Sequence, residues 1–331
     1  MVVIKFKQDR KDMRILLILG GEGSEHDVSK MGAKNVLEAF SKTDFIVESS
    51  EIARDGTWSK NFDEISSGNF DAIFPLIHGK GGEDGAISAM GEILKIPVVG
   101  CDMRASQLAW DKDLCKIILS QNNIPVVPWR TFHEGETISD FPKISDELDS
   151  KILFIKPARE GSSIGVSRAT NEVEFRDAIK KAFEYDDKIL IEKAIVGREL
   201  ECSVLGNSPK ISVTGIGEIT PPKDTFYSYE EKYSDESRTG LDIPAQNLTD
   251  KVCEKIQDFA KTAFIAIGGN GLSRIDFFYD ENSGEVFLNE INTMPGFTNI
   301  SMYPKLWEND GLSYDELLKK LVELAREKFT Y

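Results

Sequence analysis

The sequence predicts an α/β segment followed by α+β segments, spread over two or three domains. Three observations carry this expectation. An apolar run at residues 14–19 leads through a glycine turn into a helix, the opening unit of an α/β sheet. Near the far end, Arg274-Ile275-Asp276 and Phe287-Leu288-Asn289-Glu290-Ile291-Asn292 flank a polar turn at 280–284 and read as a hairpin. Finally, 331 residues exceed what one hydrophobic core ordinarily serves.

Residues 1–13 form a mixed-charge extension. The first domain, 14–104, holds the opening strand, the turn Gly20-Gly21-Glu22-Gly23-Ser24-Glu25 and a helix at 28–40. A second buried strand at 71–77 ends in His78-Gly79-Lys80-Gly81-Gly82-Glu83-Asp84-Gly85, followed by a helix at 86–94 and a short strand at 97–99. The second domain, 105–196, opens with one helix at 105–120 that Asn122-Asn123-Ile124-Pro125 ends. A strand at 152–156 runs into the loop Pro157-Ala158-Arg159-Glu160-Gly161-Ser162-Ser163-Ile164-Gly165. An Asn171/Glu174 capping box then starts a helix to 185, and a strand covers 188–192. The third domain, 197–331, has strands at 200–205 and 211–217. Its polar stretch 220–242 exceeds the usual length of a connection and is expected to be an active-site lid or a disordered insert. Val252, Ile256, Phe259, Ala260, Ala263, Phe264 and Ile267 lie on one helical stripe, which reads as core. The hairpin and a helix at 314–328 finish the chain.

Composition narrows the function. A net charge of −16 argues against nonspecific nucleic-acid binding, although local Lys and Arg can still hold a small anion. Cys101, Cys115, Cys202 and Cys253 have no CxxC spacing and read as core thiols in a reducing, cytoplasmic compartment. The N-terminus does not read as a secretory signal, and no apolar run approaches the roughly 20 residues of a membrane helix.

The polar residues of the hairpin carry the strongest chemistry. Glu290 and Asn292 leave the same face of their strand, and hairpin closure lets Asp276 join them. Two carboxylates and an amide are hard oxygen donors suited to Mg²⁺ held together with phosphates, and Arg274 adds a cation beside them. The alternative is a solvated hairpin face. The 156–165 loop can turn backbone N–H groups toward an anion beside Lys156, or be a plain surface loop; it is not a Walker A loop. Lys112 sits mid-helix and reads alone as a solvated charge. Around Glu192, Lys193, Ala194 and Ile195 the backbone could meet an adenine edge while Glu199 takes ribose hydroxyls. His78 ends a buried strand, as a structural or functional histidine. Three histidines without cysteine partners make zinc improbable, no GxSxG elbow exists, and GxGxxG is not matched.

Five blocks in order give a sharper signal. They are Gly20-Gly21-Glu22-Gly23-Ser24-Glu25-His26-Asp27-Val28-Ser29, then 78–85, 156–165, Phe226-Tyr227-Ser228-Tyr229-Glu230-Glu231-Lys232-Tyr233, and Glu290-Ile291-Asn292-Thr293-Met294-Pro295-Gly296-Phe297-Thr298 with Ser301-Met302 close behind. Together they resemble the D-alanine–D-alanine ligase family of the ATP-grasp superfamily, over nearly the whole chain. The departures are the N-terminal extension and Asn299-Ile300 before Ser301.

The resemblance implies a three-domain ATP-grasp fold with a Rossmann-like N-terminal domain, and ATP gripped between the other two. It implies ligation of two D-alanines through an acyl phosphate, with release of ADP and phosphate, for peptidoglycan precursors. Asp276, Glu290 and Asn292 would hold two Mg²⁺ ions, or Mn²⁺. Lys112, Lys156 and Lys232 would meet phosphate oxygens, with Lys193 and Asn289 near the nucleotide. Glu192, Ala194, Ile195, Glu199 and Phe226 would border adenine and ribose. Arg274 and the Gly296 N–H would stabilise the oxyanion, Glu25 would pair with the first ammonium, and His78 would border substrate. Ser301 and Met302 would hold the second carboxylate. Glu25, Ser162 and Tyr233 resemble the network that orients the second amine, and the tyrosine implies an amine acceptor. The resemblance also suggests a homodimer. The rival readings are another acceptor, D-lactate or D-serine, and a non-catalytic ATP-binding module.

Overall fold

Three sheets, each with its own helices, organise the computed structural model, which describes residues 13–220 and 240–329. The first is parallel, in the order β2-β1-β3, built from β1 (Arg14–Gly20), β2 (Ile46–Ile52) and β3 (Ala72–Pro75). After Arg14 the central strand β1 is apolar and buried because both of its faces are covered. Helices α1 (His26–Phe40), α2 (Phe62–Ser67) and α3 (Ala86–Leu94) connect and flank it. The strand expected at 97–99 is only a bridge from Ile73 to Val98, because Gly100 at φ +103 turns the chain away.

The single helix expected at 105–120 is two: α4 (Met103–Trp110) and α5 (Lys112–Gln121). Asp111 leaves the helical region (φ −79, ψ 98), and its carboxylate accepts the Leu114 N–H to cap α5. Lys112 is therefore the first residue of a helix and not a mid-helix charge.

The middle sheet is antiparallel, ordered β4-β7-β5-β6, from β4 (Trp129–His133), β5 (Leu153–Pro157), β6 (Ser167–Ala169) and β7 (Lys188–Lys193). Helices α6 (Phe141–Glu147) and α7 (Glu172–Ala182) cover it, with Ile144, Phe175 and Ala178 packed on Ile155 and Ile191. Only half of the expected capping box forms. Asn171 accepts from the Glu174 N–H, but the Glu174 carboxylate returns to the Thr170 N–H instead of that of Asn171. The helix also stops at Ala182, short of 185.

The third sheet runs β10-β9-β8-β11-β12, all antiparallel: β8 (Arg198–Asn207), β9 (Lys210–Thr220), β10 (Gly240–Asp242), β11 (Leu272–Asp280) and β12 (Glu285–Asn292). The stripe of α8 (Asp250–Ala266) buries Ile256, Ala260, Ala263 and Phe264 against it. Ala105, Ala109, Cys115 and Leu119 of α4 and α5 join the same core. Of the stretch expected as a lid or insert, 221–239 lies outside the described residues; its two ends belong to β9 and β10.

Two helices close the chain, α9 (Met302–Asn309) and α10 (Tyr314–Phe329). Leu317, Leu318, Leu321 and Val322 of α10 pack back onto Ile15, Leu17, Val36 and Phe40 of the first sheet and α1. Phe297 lies in that core, edge-on to Phe74 at 5.5 Å. Burying one such ring contributes about 3 kcal/mol, enough to anchor the loop that follows β12.

Candidate functional site

The β11–β12 hairpin closes as the sequence suggests, and its register decides the geometry. Asp276 lies opposite Glu290, and Arg274 opposite Asn292. On the other side of β11, Asp276 faces Glu201 and Arg274 faces Ser203 of β8. Glu201, Asp276 and Glu290 therefore form one row across three strands, with Arg274 and Asn292 in the next. Three carboxylates in a row repel one another unless a cation intervenes. Arg274 does so: its Nε and Nη2 donate to the two Asp276 oxygens at 2.8 and 2.6 Å, and Nε lies 3.0 Å from Glu201 Oε2. Burial works to lower the Arg274 pKa, but the Asp276 and Glu201 charges outweigh it and hold the guanidinium ionised.

Past β12 the chain turns sharply. The Met294 N–H donates to Asn292 Oδ1 at 3.1 Å, which fixes that amide. Ser301 Oγ accepts from the Thr298 N–H at 2.9 Å and lies 2.8 Å from Thr298 Oγ1. A Cβ on Gly296 would meet Ser301 Oγ at 2.6 Å, so glycine permits that close approach.

The first sheet supplies a second wall. Glu25 sits just ahead of α1 and is buried. Buried His78 has Nδ1 3.2 Å from the Met294 carbonyl, which ties its loop to the chain after β12. Glu83 accepts the Gly79 N–H at 3.1 Å. Burial first, then the charge of Glu25, pushes the Glu83 carboxyl up to about 8.

The third wall comes from α5 and the 157–165 loop. Lys112 Nζ donates to the Glu160 carbonyl, while its backbone N–H donates to Ala158 O at 3.0 Å. Burial lowers the Lys112 pKa, with the charge of Glu290 opposing. Ser162 and Ser163 take left-handed backbone (φ +48 and +61), strain of the kind found at ligand-holding loops.

Together these walls enclose a cavity of roughly 830 Å³. Of the residues singled out from the sequence, Glu25, His78, Lys112, Ser162 and Glu199 line it. So do Arg274, Asp276, Asn289, Glu290, Asn292, Gly296, Ser301 and Met302. Lys156, Glu192, Lys193, Ala194 and Ile195 stand on and beside the middle sheet and do not line it. Lys156 and Glu192 pair there at 2.8 Å, and Lys193 lies 3.5 Å from Asp149. Phe226, Lys232 and Tyr233 lie outside the described residues. The sequence reading missed Glu83 and Glu201. Glu83 shares its glycine-rich loop with His78, which was a usable signal; Glu201 became visible only through register. Among the described residues, no three His, Cys, Asp or Glu side chains gather to hold a cation by themselves. The hairpin instead offers two carboxylates and an amide, an oxygen set that fits Mg²⁺ completed by phosphate and water.

Comparison with known proteins identifies the family. Residues 118–323 match the family model described as D-ala D-ala ligase C-terminus. The D-alanine–D-alanine ligase of Shouchella clausii is 43% identical, covering 95% of this chain and 95% of its own. The solved D-alanine-D-alanine ligase of Coxiella burnetii aligns with a TM-score of 0.82 at 32% identity over 96% of each chain. The VanG D-Ala:D-Ser ligase of Enterococcus faecalis aligns at 0.81 and 33% identity, covering 95% of this chain and 99% of that one. The match spans both the fold and the whole length, and the chain belongs to the D-alanine–D-alanine ligase family.

Proposed function

We propose that this chain joins two D-alanines into D-alanyl-D-alanine for peptidoglycan precursors, cleaving ATP to ADP and phosphate. A carboxylate is a poor electrophile. Its oxygen must first attack the γ-phosphorus and release ADP, leaving an acyl phosphate. The amine of the second D-alanine, having lost its ammonium proton, then attacks the carbonyl carbon and releases phosphate. Transfer of this kind needs positioning and charge neutralisation more than covalent help.

The observation that carries the reading is the two-row hairpin, with Arg274 held between Asp276 and Glu201 beside Asn292, in one cavity with Lys112 and Glu25. Asp276, Glu290 and Asn292 would hold Mg²⁺ or Mn²⁺, two ions in all, which would neutralise phosphate charge. Lys112, Lys156 and Lys232 would hold phosphate oxygens. Lys193, Glu192, Ala194, Ile195, Glu199, Phe226 and Asn289 would border the nucleotide. Arg274 and the Gly296 N–H would stabilise the oxyanion. Glu25 and His78 would seat the first D-alanine, and Ser301 with the Met302 backbone would take the carboxylate of the second. Glu25, Ser162 and Tyr233 would orient the second amine and offer its proton a route. We place the reaction in the cytoplasm and expect a homodimer, which light scattering checks. No described helix is long and apolar enough to cross a membrane.

The test is ADP release with Mg²⁺-ATP and D-alanine, with products resolved by mass, L-alanine as control, and D-lactate and D-serine as rival acceptors. Equal amounts of ADP and D-alanyl-D-alanine support the reading. A mixed product as the main species keeps the site and changes the acceptor. Folded protein with no D-alanine-dependent ADP ends it.

A further inference from the structure

Lys116 is 1% exposed, yet the chemistry proposed above gives it nothing to do. It lies one turn after Lys112 on α5, so the two leave the same face of the helix. Lys112 lines the cavity, whereas Lys116 enters the protein interior. There its Nζ lies 3.0 Å from Glu192 Oε1, 3.1 Å from the Val127 carbonyl and 5.6 Å from the centre of the Trp129 ring. The other oxygen of Glu192, Oε2, is 2.8 Å from Lys156 Nζ. Glu192 lies opposite Phe154, two residues before Lys156 on β5, so the Lys156–Glu192 pair is a diagonal neighbour on one sheet face. The result is a buried line of charges, plus-minus-plus, from α5 across the middle sheet.

A buried ion pair is weak evidence for stability, because desolvation consumes most of what Coulomb attraction gives. The charge count suggests another purpose. Glu192 with Lys156 alone sums to zero; with Lys116 the group carries one net positive charge. Burial works to raise the Glu192 carboxyl's pKa, but the fields of Lys116 and Lys156 outweigh it and keep the group ionised.

We propose that Lys116 is a positioning residue for nucleotide phosphates: by occupying one oxygen of Glu192 it holds Lys156 in place and leaves its positive charge unspent. The inference rests on the reading of Lys156 as a phosphate-binding lysine.

The test is calorimetric binding of Mg²⁺-ATP and of adenosine to the full chain and two variants. Lys116→Met should weaken ATP by about tenfold or more, as loss of a unit of nearby charge implies, and leave adenosine unchanged. Lys116→Gln removes the same charge but keeps a polar group for the Val127 carbonyl, so it should fold and show the same loss for ATP alone. Lys116→Met that binds ATP like wild type overturns the proposal. So does an equal loss for ATP and adenosine, which marks a structural role. Should Lys116→Met fail to fold, Lys116→Gln decides alone, and ATP binding like wild type there overturns the idea. Wild-type protein that binds no ATP overturns the nucleotide reading itself, a result distinct from all of these.

Discussion

Asp276 on β11 and Glu290 on β12 stand directly opposite each other, and the ladder slips by one residue just beyond them. Phe277 pairs with Leu288, which leaves Asn289 as the extra residue of a bulge. A bulge bends its strand and re-aims the neighbouring side chains, and it is often found beside active sites. Here it follows the acidic pair at once, so Phe277 and Leu288 return to the core while Asn289 lines the cavity. Opposed carboxylates cost stability. With Glu201 of β8 in the same row, the sheet holds three of them beside one arginine.

Glu290→Gln tests whether that cost serves catalysis. The variant should lose activity by on the order of a hundredfold or more, the usual penalty for removing a charge-stabilising group. The nucleotide-free protein should melt no lower than wild type, since a like charge has left the row. Turnover across a Mg²⁺ titration, with parallel thermal melts, checks both halves. Lost activity accompanied by a lower melting temperature would mean that Glu290 is structural.

Glu83 gives the site a pH signature. Burial, followed by the charge of Glu25, raises its carboxyl to about 8. Between its ordinary value and about 8, the folded protein keeps a proton that the unfolded chain has released. Stability from this group therefore falls as pH rises through that window. Glu83→Gln is a neutral mimic of the protonated acid and should flatten the trend. Melting temperatures of the two proteins should converge near about pH 5 and separate toward about pH 8, with wild type lower. Curves that stay parallel would mean that Glu83 is ionised in the folded protein.

How much of this was legible beforehand follows the physics of each signal. The hairpin was plain because alternation and turn chemistry are local, and Glu290 and Asn292 had to share a face. Strands such as β1 and helices such as α8 announced themselves by apolar runs and stripes. Edge strand β2 was missed because IVESSEI is polar on the side that packs little, and α2 because six residues carry no usable period. The break at Asp111 was invisible because α4 and α5 are both amphipathic, so one continuous stripe fits them; only the cap at Asp111 divides them. Glu201 and Lys116 depend on long-range pairing, which no local pattern encodes. The blocks that carry the family resemblance singled out Glu25, Ser301 and Gly296, which line the cavity and which spacing could not have picked out.

Asp111 does more than end α4. Both of its oxygens lie 2.7 Å from Lys188 Nζ, itself buried, and one also caps the Leu114 N–H. Asp111→Ala removes a cap and, among the described residues, leaves the buried ammonium with Asp113 alone, at 3.5 Å. The expected loss is on the order of 3 kcal/mol in a denaturant titration, a cap plus part of a broken buried pair. Activity should fall as well, because Lys112 begins the helix that Asp111 starts. Lys188→Met in the Asp111→Ala background should recover much of the stability, since no buried charge is then left unpaired. If the double variant is no more stable than Asp111→Ala, the ion pair is not what Asp111 contributes.

Gly296→Ala should act on one substrate and spare the other. The new Cβ would fall 2.6 Å from Ser301 Oγ, so one of the two residues has to yield. Gly296 has little freedom. The next residue, Phe297, is fully buried, and its carbonyl accepts from Tyr314 Oη at 3.0 Å and Asn35 Nδ2 at 3.3 Å. Ser301 is therefore the one to rotate, giving up its hydrogen bonds to Thr298. With Ser301 as the proposed holder of the second carboxylate, KM for the acceptor D-alanine should rise by about tenfold, the worth of one hydrogen bond to a charged group. KM for ATP and the melting temperature should change little. Initial rates with each substrate varied in turn separate the two constants. A matching rise in the ATP constant would show that the turn supports the whole cavity and not the acceptor alone.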